Sequence, residues 1–367
     1  MQSVVAKLAS RFRARHSLAA LCGIAALAAC SSSSGSTNAP DTRPLDAQVR
    51  KEELAFVAER ADQPSGIWRV AGNGDGQTPI FQGPGRFEAP RWSPDGHVVI
   101  FDSDGSGNFD ISAVNADGSN LHQLTTDPGN DGGAIWSPDG RQIAFFSNRS
   151  GSFDLWVMNA DGSGQRQLTD LHQFVSQPAW SPDGRQIAFT LAPEVNSLES
   201  DVWVVGPDGS GLRQLTNTPR ADFDPAWAPD GRVIAFTSQR ETLPDVWVMN
   251  ADGSNQRSLT KQPKSSEQRP VFSPDGQRIA YLSTKTIDGN DDVFVMDADG
   301  RDPHNVSKTE EINERQVSWA PQGRVLAFTS NVQGNDEVVA INDDGTGVTD
   351  ISRNVGPDSW PAWRPRR

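Results

Sequence analysis

The tract Trp-Ser-Pro-Asp-Gly recurs, whole or nearly whole, along almost the entire chain, and its spacing constrains the fold more than any other feature. Its aromatic residue falls at Trp92, Trp136, Trp180, Trp227, Phe272, Trp319 and Trp363, at intervals of 44, 44, 47, 45, 47 and 44 residues. A period of this size, carrying several short strands per unit, is the signature of a β-propeller. Each unit is then one blade, whose apolar faces are buried only against its neighbours.

The same four segments appear in each repeat. In the copy at Pro178 they are Pro-Ala-Trp (a), Gln-Ile-Ala-Phe (b), Asp-Val-Trp-Val-Val (c) and Arg-Gln-Leu-Thr (d), with Ser-Pro-Asp-Gly between a and b. Segments b, c and d are short aliphatic and aromatic runs bounded by Pro, Asp, Asn and Gly, which reads as strands joined by tight turns. In Pro-Asp-Gly the proline presets φ and the glycine accepts the positive φ that the turn demands. No helical periodicity of useful length is present, so the chain is all-β.

Segment b occurs seven times, at Leu54, Val99, Ile143, Ile187, Ile234, Ile279 and Leu326. Segment a also occurs seven times, but its last copy, Pro361-Ala362-Trp363, has no b after it, and the first b has no a before it. The arrangement predicts a seven-bladed ring in which the C-terminal strand completes the N-terminal blade. Such a clasp removes two open sheet edges. The distance from the segment a aromatic to segment b is constant at seven residues, and that from c to the end of d at 15. Length varies in the b–c and d–a connectors, most of all between Thr190 and Asp201 and between Thr284 and Asp291. Alternating strand direction puts these connectors on one face, and insertions confined to one face mark a binding face.

The first residues belong to a different kind of segment. Lys7, Arg11, Arg13 and Arg15 precede an apolar stretch from Leu18 to Ala29, too short to span a bilayer comfortably, which reads as a secretory signal. Leu27-Ala28-Ala29-Cys30 resembles the bacterial lipoprotein box, which implies cleavage before Cys30 and its acylation, including by palmitate. Ser31 rather than Asp after that cysteine implies sorting to the outer membrane. The expected organisation is a signal peptide at 1–29, the lipidated Cys30 with a flexible tether to 50, and a propeller at 51–367. With Cys22 removed and Cys30 acylated, the mature chain has neither a disulfide nor a thiolate metal site. Loss of the four basic residues leaves 29 basic against 47 acidic ones, a balance of −18. That surface disfavours nucleic acid and anionic lipid and favours basic partners or cations.

The Trp-Ser-Pro-Asp-Gly, Ile-Ala-Phe, Asp-x-Trp-Val-Met-Asn-Ala-Asp-Gly and Arg-Gln-Leu-Thr segments resemble the repeats of TolB-type β-propellers from Leu54 to Trp363. The resemblance is specific for the repeat and less so for function, since related propellers occur in prolyl oligopeptidases and oligogalacturonate lyases. TolB itself is a periplasmic part of the Tol–Pal envelope system that binds the lipoprotein Pal and the N-terminus of TolA. This chain differs in lacking the preceding α/β domain, in its lipoprotein box and in its count of seven blades; the resemblance leaves six as the alternative.

Ten of the eleven tryptophans occupy two repeat positions, six in segment a and four in segment c, and read as packing between blades. The eleventh, Trp360, stands outside both, on the strand that the resemblance assigns to the channel wall, where it could stack on a ligand. Five residues before the segment a aromatics stand Asp131, Asp222, Glu267, Glu314 and Asp358, with Phe87 and Val175 in the other two copies. These five carboxylates are candidates for holding a basic partner or a cation at one channel mouth, or for capping local turns. The aspartates opening segment c read as structural, beside Arg149 or Arg240 in some blades. There is no Gly-x-Ser-x-Gly elbow, no His-Glu-x-x-His and no phosphate loop, and His97, His122, His172 and His304 fall at unmatched repeat positions. The expectation is a monomeric, lipid-anchored interaction module in the periplasm, without catalytic residues, resident cofactor or nucleic-acid partner. Its alternative is a channel-based carbohydrate-active or metal-dependent enzyme of the lyase-like propeller type.

Overall fold

The computed structural model describes residues 43–366 apart from 61–62, 196, 263, 285–288, 310–311, 332–333 and 354–355; Cys30 and the signal segment lie outside the described residues. Seven four-stranded antiparallel sheets form a ring. The ring therefore has the seven blades that the repeat count predicts and not the alternative six. Blade 1 takes its inner strand from the C-terminus, Asp358–Trp363, which pairs antiparallel with Glu53–Arg60. Gln63–Ala71 and Thr78–Gln82 follow outward. The inner strands of blades 2 to 7 are Phe87–Trp92, Asp131–Trp136, Phe174–Trp180, Asp222–Trp227, Glu267–Phe272 and Glu314–Trp319. Each touches the inner strand of the next blade, and Asp358–Trp363 touches both Glu314–Trp319 and Phe87–Trp92, which closes the ring.

The constant spacings have local causes. In the a–b turn of blade 2, Ser93 Oγ donates to Asp95 at 2.6 Å and accepts from Val98 N at 3.0 Å, while Gly96 takes φ +69°. The 15-residue interval is a closed exchange of hydrogen bonds. Thr169 Oγ1 donates to Asp154 at 3.1 Å and accepts from Leu155 N at 2.9 Å. Asp201 with Thr216, Asp245 with Thr260 and Asp292 with Ser307 repeat the arrangement. The segment c aspartates are structural, as read; the arginines expected beside them pair elsewhere.

Blade-to-blade contact is apolar and repetitive. One strand b aromatic per blade (Phe56, Phe101, Phe145, Phe189, Phe236, Tyr281, Phe328) is at most 2% exposed, and burying such a side chain stabilises by about 2–3 kcal/mol. The segment a tryptophans reach back to the preceding blade: the Nε1 of Trp92, Trp180, Trp227 and Trp319 donate to the carbonyls of Ala362, Ile135, Ala179 and Val271 at 3.1 to 3.3 Å. Among the described residues no α-helix occurs, and no helix is long and apolar enough to cross a membrane.

The chain enters the propeller on the face of the a–b and c–d turns. Asn342, in blade 7, accepts from Asp46 N at 2.9 Å and donates to Pro44 O at 3.1 Å; Arg43 pairs with Asp344 at 3.0 Å. Asp46 caps a 3-10 turn, Ala47–Lys51, whose Val49 is fully buried with Trp363 and Ile351. The last residues of the span read as tether are thus packed on the propeller, because Val49 supplies an apolar anchor.

Candidate binding site in the central channel

All seven inner strands bulge at one position, where two residues oppose one on strand b. The third residue of the inner motif takes a left-handed φ in every blade: Ala89 (49°), Gly133 (62°), Gln177 (54°), Asp224 (54°), Arg269 (55°), Gln316 (58°) and Trp360 (59°). Glycine adopts that conformation freely, whereas other residues cost on the order of 1 kcal/mol each. The chain uses glycine once. At Gly133 it is required sterically as well, since a Cβ there would sit 2.3 Å from the Phe146 ring. Elsewhere the channel wall carries an amide, a carboxylate, a guanidinium, a second amide and an indole, in the order of the ring.

The bulge amides explain part of this choice. At four of the seven junctions the preceding blade supplies a side-chain acceptor. Gly133 N donates to Asp102 at 2.8 Å, Asp224 N to Gln177 Oε1 at 3.3 Å, Arg269 N to Thr237 at 3.0 Å, and Trp360 N to Gln316 Oε1 at 3.1 Å and Thr329 at 3.2 Å. At the other three junctions the corresponding strand b residue is Val57, Phe146 or Leu282, none of which carries a side-chain acceptor. Gln177 Nε2 also donates to Asp224 Oδ1, so these two residues exchange hydrogen bonds across blades 4 and 5.

Blade 2 departs furthest from the repeat. Asp102 occupies the strand b position that holds Phe146, Thr190, Thr237, Leu282 and Thr329 elsewhere, and Arg91 occupies one held by Ile135, Ala179, Ala226, Val271, Ser318 and Ala362. Asp102 is 6% exposed, and its Oδ1 has no hydrogen-bond partner. Burial, with help from the neighbouring Glu88, pushes its carboxyl up to about 7 although Gly133 N and Arg91 oppose the shift. Burial also raises Asp224 to about 6 against the pull of Arg269. The sequence reading missed Asp102, Arg91 and Arg269. For Asp102 and Arg91 the available signal was a charge in a column that is otherwise uncharged; the column of Arg269 varies in every blade and gave none.

The five carboxylates singled out in the sequence do open the inner strands, but each is fully buried. Arg149 Nη2 donates to Asp131 at 2.6 Å and Arg240 Nη2 to Asp222 at 2.8 Å, while Arg60 lies 3.8 Å from Asp358. The same three arginines stack over Trp156, Trp247 and Trp68 at 4.6 to 4.7 Å from the ring centroids. Glu267 accepts from Ser283 at 3.1 Å, and Glu314 from Thr309 at 2.9 Å and Ser330 at 3.1 Å. This differs from an open acidic rim: the side chains turn into their blades, where hydroxyls and arginines meet one carboxylate oxygen while a second, as in Asp131 Oδ1 and Glu314 Oε2, is buried without a hydrogen bond. Burial raises Asp131 despite Arg149 and pushes Glu314 up to about 8. Trp360 is on the inner strand and partly buried, packed against the apolar cluster of blades 1 and 2. Among the described residues no three His, Cys, Asp or Glu side chains are grouped to hold a metal ion.

On the b–c and d–a face, Phe146, Phe153 and Phe174 form an edge-to-face chain with centroids 5.7 and 5.4 Å apart, and all three are partly exposed. Phe174 pairs with Ala192, where the longest connector departs, and that connector exposes Val195 (56%) and Leu198 (78%).

The ring and its channel define a seven-bladed propeller of the TolB repeat class. The profile of the TolB beta propeller domain matches residues 50–173 and 162–367, so the chain belongs to that family. No curated protein matches the sequence. Among solved structures it is similar to a putative TolB from Agrobacterium tumefaciens, at 22% identity and a TM-score of 0.53 over 70% of this chain and 88% of that one. TolB from Acinetobacter baumannii gives 16% and 0.58, over 85% of this chain and 82% of that one. An oligogalacturonate lyase in complex with manganese gives 14% and 0.62, over 82% and 84%. At these identities the likeness is one of fold.

Proposed function

We propose that the protein is a lipid-anchored interaction module of the bacterial cell envelope that docks a partner protein on its b–c and d–a face. The family supports an interaction role in general. The observation that carries this reading is the apolar tract of Phe146, Phe153 and Phe174 beside a connector exposing Leu198, since protein contacts are anchored by aromatic and aliphatic groups of this kind. The chain enters the propeller at Arg43, on the opposite face from this tract. Localisation on the periplasmic side of the outer membrane and a role in the Tol–Pal system are the finer forms of the same reading. Capture from envelope extracts with the full chain and with Leu198→Asp tests it. A partner retained by the first and lost by the second supports docking at this face. Equal capture by both, or none by either, overturns it.

A channel-based enzyme is the second reading, favoured by Asp102, a buried carboxyl near neutrality beside Arg91 and Glu88. Turnover of any saccharide that disappears in Asp102→Asn would support it.

A further inference from the structure

On the face of the a–b and c–d turns, the clefts between successive blades are closed by the chain's own side chains, most often by arginine. Between blades 1 and 2, Arg364 lies 5.0 Å from the centroid of Trp92, donates to Gly96 O at 2.8 Å and pairs with Glu53. Between blades 6 and 7, Arg278 lies 5.4 Å from the centroid of Trp319, donates to Gly323 O at 2.6 Å and pairs with Asp343. Arg166, Arg213 and Arg257 each reach from segment d across a cleft to a carbonyl of the following c–d turn, at Pro207, Ala251 and Asp299. Between blades 7 and 1 the entering segment sets Val49 against Trp363.

The cleft between blades 2 and 3 is built differently. Val98 stands at the strand position of Arg278, and His122, at the position of Arg166, hydrogen-bonds to Asn120 of its own blade. A cavity of about 660 Å³ remains, lined among others by Trp136, Gly140, Asp95, Asp139 and Asp161. Trp136 is partly exposed there, whereas its counterparts Trp92 and Trp319 are 6% and 7% exposed beneath their arginines. Hydrogen bonds from Ser93, Ser137 and Ser163 hold the three exposed aspartates below the usual carboxylate range, so all are ionised at neutral pH. Arg141, itself exposed, lies 3.9 Å from Asp139.

We propose that this cavity binds an arginine side chain of a partner protein, its guanidinium stacked on Trp136, donating to Gly140 O and paired with Asp95 and Asp139. The groups offered are those that the chain gives its own arginines elsewhere. Gly140 O corresponds to Gly96 O and Gly323 O, and Asp95 to Asp275, which lies 3.9 Å from Arg278. Asp139 adds a carboxylate where blade 7 carries Gln322. A planar guanidinium stacks on an indole and forks onto oxygen acceptors, which an ammonium cannot match. The three ionised carboxylates select a basic segment as the carrier of that arginine. The cleft lies on the face opposite the docking surface proposed above and does not depend on it.

The test titrates the full chain with N-acetylarginine amide at constant ionic strength, reading the indole N–H resonance of Trp136, assigned with Trp136→Phe. This derivative is expected to bind at least about tenfold more tightly than its lysine counterpart or the uncharged citrulline one. Val98→Arg rebuilds the arrangement of blade 6 from within the chain, so it is expected to keep the parent's melting temperature while abolishing binding. His122→Arg closes the cleft from segment d, as Arg166 does in blade 3, and is expected to act in the same way. Asp95→Asn combined with Asp139→Asn is expected to weaken binding at least about tenfold. Free arginine distinguishes a small molecule from a chain segment as the source, and tighter binding of the free amino acid overturns the protein source. An equal response to lysine or citrulline, unchanged binding in Val98→Arg and His122→Arg, or an unmoved Trp136 resonance overturns the site.

Discussion

The Arg149 guanidinium donates to a fully buried Asp131 at 2.6 Å while stacked 4.7 Å from the centroid of the Trp156 ring. Arg240 with Asp222 and Trp247, and Arg60 with Asp358 and Trp68, repeat the arrangement in blades 5 and 1. A third contact ties two of the sets to the preceding blade: Gln165 accepts from Arg149 and donates to Leu124 O, and Gln77 accepts from Arg60 and donates to Ile351 O. Removing the cation alone leaves a buried carboxylate without its counter-charge, so Arg149→Leu is expected to destabilise by about 3 kcal/mol. Arg149→Leu combined with Asp131→Asn is expected to recover part of that loss. Loss of the exposed Arg141–Asp139 pair, by contrast, is expected to change stability by less than about 0.5 kcal/mol. Urea denaturation of the parent, Arg149→Leu, Asp131→Asn and the double variant, read as a double-mutant cycle with Arg141→Leu alongside, checks the ordering.

Glu314 gives the molecule a pH dependence of defined sign. Its carboxyl lies at about 8 in the fold, against 4.5 for the ordinary group, and burial is the leading cause. The folded state therefore binds one more proton than the unfolded state between these two values, and stability falls as pH rises through the interval. The contribution is fully present below about pH 4.5 and gone above about pH 8, with a magnitude on the order of 5 kcal/mol. Denaturation midpoints at pH 5, 6.5 and 8 are expected to fall more steeply for the parent than for Glu314→Gln. Parallel slopes would show that Glu314 titrates as an ordinary carboxylate.

The parts of this architecture that repeat were legible in the sequence. Seven copies of Trp92-type aromatics at a fixed distance from strand b state the blade count, and the orphan Trp363 segment states the closure. Depth was not legible. Asp131, Asp222 and Asp358 look like a charged rim because a linear pattern shows recurrence without direction. Only the fold reveals that Arg149, Arg240 and Arg60, each six residues past the start of segment b, fold back over them. The channel wall escaped for a different reason. Averaging the repeats hides Asp102 and Arg91, whose information lies in differing from their columns, and Arg269, whose column has no common residue.

Gly133 is the one glycine among the seven left-handed positions, and the ring of Phe146 packs where its side chain would be. Gly133→Ala combines a left-handed backbone with a carbon 2.3 Å from that ring, and is expected to cost about 2–3 kcal/mol. Adding Phe146→Ala removes the clash but not the strain, so recovery should be partial, apart from the loss of the ring's own packing. Gln177→Gly makes the opposite substitution at the same repeat position. It relieves backbone strain while giving up the two hydrogen bonds to Asp224, so a near-neutral melting temperature is expected.

The clasp sets the last expectation. Asp358–Trp363 contributes the inner strand of blade 1, pairing Leu54 with Trp363, Ala55 with Ala362 and Ala58 with Asp358. Its Trp363 packs with Val49 and Ile351, and the carbonyl of Ala362 receives Trp92 Nε1 from blade 2 at 3.1 Å. Ending the chain at Pro357 would uncover Glu53–Arg60, a strand that is largely buried in the closed ring, and would leave the inner face of blade 7 without its neighbour. An exposed apolar strand edge templates pairing with other chains. The truncated protein is therefore expected to melt at least about 10 °C lower and to form concentration-dependent oligomers. Adding a peptide of residues 357–367 in trans should restore part of the monomer population, because the missing strand is continuous and binds along a preformed edge. Calorimetry and light scattering at several protein concentrations distinguish these outcomes. A monomeric truncation with an unchanged transition would mean that the blade interfaces, rather than the clasp, hold the ring closed.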